Sequence, residues 1–106
     1  MSDRSAFTGI ADPTRRRVLD LLRIRGPLRA GEIAAEFGDA ARPGISRHLR
    51  ILRECGLVAC RVQGKTRTYQ LTPQPLEALR DGWLANFAVA HSKRLSSLRK
   101  RVERRT

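Results

Sequence analysis

The chain has 106 residues, room for a single domain with one modest core. Its 22 Lys and Arg against 10 Asp and Glu give a formal charge of +12, which calls for a polyanionic partner. The absence of any apolar run near the roughly 18–20 residues of a membrane span, and of a basic-then-apolar leader, reads as a cytoplasmic protein, and two cysteines, Cys55 and Cys60, are too few for a disulfide framework.

Asp12-Pro13 is a helix start: the Asp oxygen can cap free amides, and Pro at the first helical position forfeits only an N–H that had no partner. Val18, Leu19, Leu21 and Leu22 follow at helical spacing, with Arg15, Arg16 and Arg23 opposite, and Gly26-Pro27 ends the segment. A shorter helix fits Ala30 to Phe37 on an Ile33, Ala34, Phe37 stripe, closed by Gly38. Arg42-Pro43 then opens a third helix to about Glu54 or Cys55, with Gly56 as its stop. Two short helices joined so closely suggest helix-turn-helix.

From Leu57 the pattern turns to β-type runs, 57–62 and 66–71, around a turn at Gln63-Gly64-Lys65. Pro73 and Pro75 introduce a long helix in which Leu76, Leu79, Trp83, Phe87, His91, Leu95, Leu98 and Val102 recur every three or four residues. So small a domain cannot bury that whole stripe, which predicts a homodimer joined through it. Gly82 marks close packing or a bend within it. The fold class is therefore mainly α with a small β-hairpin wing. One domain comprises a core over about 12–71 and a dimerisation helix over about 73–103.

On the third helix Ile45, Leu49 and Leu52 point to the core, Pro43, Arg47, Arg50 and Glu54 point away, and Ser46 and His48 flank that stripe. A guanidinium makes paired bonds to guanine O6 and N7, which marks Arg47 as the candidate base reader. The hairpin turn adds Arg61, Lys65 and Arg67 as candidate phosphate ligands. His48 either braces the helix against backbone or reaches DNA.

The run Arg42-Pro43-Gly44-Ile45-Ser46-Arg47-His48-Leu49-Arg50-Ile51-Leu52-Arg53-Glu54-Cys55-Gly56-Leu57-Val58 resembles the recognition helix and following strand of ArsR-family winged-helix repressors. Asp12-Pro13-Thr14-Arg15, the wing with Gly64 and Arg67, and Tyr69-Gln70-Leu71 resemble the same family in the same order. The resemblance implies a dimeric repressor of transcription on double-stranded DNA, bound at palindromic operators; the missing sensor ligands suggest its own promoter as a candidate site. In it Ser46, Arg47, His48 and Arg50 approach the major groove, Arg61, Lys65 and Arg67 lie along phosphates, and Arg42 is a further DNA-binding candidate.

Metal-sensing members carry a Cys-x-Cys on the second recognisable helix. Here that stretch reads Glu32-Ile33-Ala34-Ala35-Glu36-Phe37, and the last helix offers only His91. No metal and no cofactor are expected, and His91 reads as part of the packed stripe. A redox switch between Cys55 and Cys60 is an alternative that needs an exposed, acidified thiol. A basic RNA-binding or ribosome-associated protein is another, which would show exposed stacking aromatics or a glycine-loop clamp. An enzyme is disfavoured because no nucleophile with a base, and no carboxylate pair, can be assembled.

Overall fold

The computed structural model of the protein describes residues 5–40 and 42–88. They form two units, one ending at Pro75 and the other beginning at Leu76.

The first unit opens with α1 (Ala6–Ile10) and α2 (Pro13–Arg25). α2 starts as its sequence requires: Asp12 Oδ2 accepts from the Arg15 amide at 3.0 Å, and Pro13 occupies the first turn. It ends at Gly26, whose φ of 81° no side-chain-bearing residue adopts easily. The five-residue α1 is too short to show a period, so hydrophobic spacing does not predict it. α2 holds it in place: Arg15 Nη2 and Nε donate to the Thr8 and Gly9 carbonyls at 2.8 and 3.1 Å, and Arg16 Nη1 donates to that of Ile10 at 2.7 Å. Arg15 and Arg16 are thus caps on the open carbonyls of α1, where a positive charge is favoured, and not simply a solvated face.

α3 (Ala30–Ala35) is shorter than the stripe to Phe37 predicts. Its end is clamped from α2, since Arg17 donates to the Glu36 carbonyl at 3.2 Å and its guanidinium lies 4.6 Å over the Phe37 ring. α4 (Arg42–Glu54) buries Ile45, Leu49, Ile51 and Leu52 and stops before Gly56, where φ is 75°.

β2 (Val58–Gln63) and β3 (Thr66–Leu71) form the expected hairpin, with Val58 opposite Leu71 and Gln63 opposite Thr66. Gly64, with φ 61° at the first turn position, fits the turn geometry that matches strand twist. A third strand, β1 (Leu28–Arg29), lies on the other edge of β3 with Leu28 opposite Tyr69. Two residues cannot display a period of two, so β1 is invisible to pattern. Val18, Ile33, Leu49, Leu52 and Leu57 are almost wholly buried and draw these elements into one core.

The C-terminal segment departs from the expected uninterrupted helix. α5 (Gln74–Leu79) passes into a π-helical turn, Arg80–Leu84, in which Gly82 leaves helical geometry at φ −98° and ψ −105°. α-Helical geometry resumes over 85–88. Gly82 thus marks a bend, one of the two roles expected for it, and among the described residues nothing outside its own helix and chain neighbours lies within 4 Å of where its Cβ would stand. His91, Leu95, Leu98 and Val102 lie outside the described residues.

Candidate nucleic-acid interface

α4 turns Arg42, Ser46, Arg47 and Arg50 to solvent while Ile45 and Leu49 anchor its inner face. Those basic side chains differ from the ones on α2. All five arginines of α2 have partners within the fold: Arg15 and Arg16 on α1 carbonyls, Arg17 and Arg25 on Glu36, and Arg23 on Asp20. Among the described residues Arg42, Arg47 and Arg50 on α4, and Arg61 and Lys65 on the hairpin, have none. The fold satisfies one set of cations and leaves another free for an external anion.

Between α4 and the hairpin runs an open groove of about 490 Å³, lined by Pro43, Ser46, Arg47, Arg50, Arg53, Arg67 and Tyr69 among others. Arg67 lies on the strand face that carries Tyr69. Arg61 sits opposite Thr68 in the register and so projects from the other face. The strand period therefore separates Arg61 from Arg67, although their places in the sequence put both beside the turn. Lys65 stands at the tip, exposed.

His48 is turned inward. Its Nδ1 lies 3.4 Å from Arg15 Nη1 and 3.9 Å from Asp12 Oδ2, with 24% of its side chain exposed. Among the described residues these contacts are to side chains of α2 and its N-cap, not to the backbone expected from the sequence as the brace. Burial pushes the Asp12 carboxyl up, but the Arg15 and Thr14 amides, His48 when protonated and the Arg15 charge outweigh it and hold the group below its ordinary value.

Tyr69 and Arg53 also line the groove, and neither is among the DNA-binding residues expected from the sequence. A helical wheel gives no hint that a strand rises beside Arg53. Burial pushes the Tyr69 phenol up, the neighbouring Cys60 adds to this, and Arg67 and Arg53 oppose it. Both cysteines are free thiols, Cys55 buried and Cys60 half-buried opposite Tyr69. Among the described residues no three His, Cys, Asp or Glu side chains are grouped to hold a metal, and no helix is long and apolar enough to cross a membrane.

Comparison with known proteins gives the same arrangement a lineage. A helix-turn-helix domain family matches residues 10–61. The HTH-type transcriptional regulator Rv2034 of Mycobacterium tuberculosis is 43% identical over 75 residues, covering 71% of this chain and 68% of that protein. The transcriptional repressor SdpR of Bacillus subtilis is 37% identical over 83 residues, covering 78% and 89% respectively. The crystal structure of an ArsR family transcriptional regulator superposes with a TM-score of 0.69 at 35% identity, over 81% of this chain and 86% of the other. The chain belongs to the ArsR family of transcriptional repressors. Within that family α3 and α4 are the helix-turn-helix, β2 and β3 the wing, and the open groove is bounded by the helix and strand that define a winged-helix reader.

Proposed function

We propose that this ArsR-family repressor works as a homodimer on a two-fold symmetric operator, with α4 in the major groove and the wing beside it. The observation that carries the reading is the division of the basic side chains. The arginines of α2 are engaged within the fold, whereas Arg42, Arg47 and Arg50 on α4 and Arg61 and Lys65 on the wing are left unpaired among the described residues.

In this reading Arg47 is the base reader, Ser46 serves a base or a phosphate, and Arg42 and Arg50 flank them. Arg67 contacts phosphate from the groove side, with Arg61 and Lys65 along the outer edge. The dimer forms through the C-terminal unit. There Trp83 and Phe87 are 54% and 56% exposed and pack edge to face at 4.5 Å, a pair of rings that a second copy would cover. Repression is steric: two recognition helices about one DNA turn apart occlude polymerase, at a set of promoters that includes the protein's own.

The test is fluorescence anisotropy with the upstream duplex and a scrambled duplex, from about 50 to 200 mM salt, where phosphate contacts weaken steeply. Preference for the upstream duplex by about 10³-fold or more, reduced in Arg47→Ala, is the expected result. Equal binding to both duplexes removes autoregulation, and displacement by structured RNA as readily as by DNA overturns the DNA-specific reading.

A further inference from the structure

Arg15 belongs to no predicted DNA-facing set, yet it joins three elements. Nη2 and Nε hold the Thr8 and Gly9 carbonyls of α1, its amide is capped by Asp12 at the head of α2, and Nη1 lies 3.4 Å from Nδ1 of His48 on α4. His48 is the chain neighbour of Arg47 and two residues from Ser46. We propose that Arg15 is a positioning residue for operator recognition: it sets the rotation of α4 about its own axis by holding His48, and so decides how Ser46 and Arg47 meet the bases. The inference rests on the DNA-reading role of α4 argued above.

The geometry supplies the reason. Ile45, Leu49 and Leu52 fasten α4 by apolar contacts, which are non-directional and tolerate small rotations. The Arg15–His48 contact is directional and sits on the flank of that stripe, where it resists rolling. A roll of about 10° moves atoms at the ~5–6 Å radius of a helix surface by about 1 Å, enough to spoil a two-bond contact to a base. Arg15 is itself immobilised by two α1 carbonyls, so the contact is anchored at both ends. The bond requires an unprotonated Nδ1 and therefore the hydrogen on Nε2. Among the described residues the charged groups facing His48 are Asp12 and Arg15.

The experiment compares the wild-type protein with Arg15→Gln and Arg15→Lys on two probes: a duplex selected by the wild type from a random library, and a scrambled duplex of equal length. In parallel the ¹⁵N imidazole resonances are recorded, with His48→Gln giving the assignment. Both variants are expected to lose about tenfold on the selected duplex and less than about twofold on the scrambled one, with the salt slope unchanged, while the His48 Nδ1 resonance moves. Arg15→Lys separates geometry from charge, because an ammonium cannot span two carbonyls and a ring nitrogen together.

Equal loss on both duplexes with a slope lowered by about 0.9 makes Arg15 a phosphate contact and overturns the proposal. A fall in melting temperature with an unchanged binding ratio makes it purely structural and overturns it too. Should the wild type select no duplex, the DNA-reading role fails by itself. The imidazole measurement still decides the contact, and an unmoved His48 resonance in Arg15→Gln refutes it.

Discussion

Gly9 of α1 lies flush against Leu57, so that a methyl group added at Gly9 would overlap the Leu57 side chain. Leu57 is fully buried and follows directly on the stop of α4, which leaves it nowhere to move. Overpacking a core costs about 1–3 kcal/mol, against up to about 1 kcal/mol gained in helix propensity. Gly9→Ala should therefore lose about 1 kcal/mol of stability. Gly44, in the first turn of α4, has nothing outside its own helix among the described residues within 4 Å of its Cβ position, and Gly44→Ala should gain up to about 1 kcal/mol. Urea unfolding of both variants tests the contrast, and a stabilised Gly9→Ala would place α1 elsewhere.

Asp12 separates capping from charge. Asp12→Ala removes the cap of α2 and should cost about 1 kcal/mol. Asp12→Asn keeps a capping oxygen but loses the charge at the helix N-terminus, about 0.3–1 kcal/mol. Because the folded carboxyl titrates below its ordinary 3.8, the charge contribution is complete above that value and is lost as pH falls through the lower folded one. Wild type and Asp12→Asn should thus differ in melting temperature at pH 6 and converge in strong acid. A gap that persists at low pH would mean that the charge is not what stabilises.

The wing should act on affinity without changing sequence preference. Lys65→Ala removes an exposed cation at the hairpin tip, and it is expected to weaken specific and scrambled duplexes alike and to lower the salt slope by about 0.9. Arg47→Ala should instead cost about 1–3 kcal/mol on the specific duplex alone. Anisotropy titrations across salt distinguish the two, and a Lys65→Ala that alters base preference would move readout from α4 to the wing.

The C-terminal unit predicts the oligomer. Trp83→Ala and Phe87→Ala remove rings that pack on each other but leave half their area open. Truncating a central aromatic at an interface costs about 2 kcal/mol or more, so sedimentation equilibrium should show the dimer dissociating at ~30-fold higher protein concentration than wild type, by that energy. Unchanged dimerisation in both would remove these rings from the interface.

The hydrophobic periods of α2 and α4, the Asp12-Pro13 cap and the Gly26, Gly56 and Gly64 stops are written locally, each within a turn or two of chain. That is why the helix-turn-helix and the hairpin are legible in the residues alone. α1 and β1 carry too few residues to show a period, and what holds each lies on another element: Arg15 and Arg16 of α2 for the one, Tyr69 and Thr68 of β3 for the other. Leu84, next to Trp83 in the chain and 43% exposed, is an apolar residue that the predicted stripe leaves out, and the π-helical turn over Arg80–Leu84 interrupts the ideal period on which that stripe rests.

The sequence by itself determined the family, the helix-turn-helix and the wing, and it marked the candidate cations on them, because type and spacing are local properties. Only the tertiary structure decided which cations are already neutralised. Arg15 and Arg47 read alike on a helical wheel. One is engaged with α1 and His48 while the other is left unpaired among the described residues, and that difference depends on which carbonyls and ring nitrogens folding brings within hydrogen-bond reach.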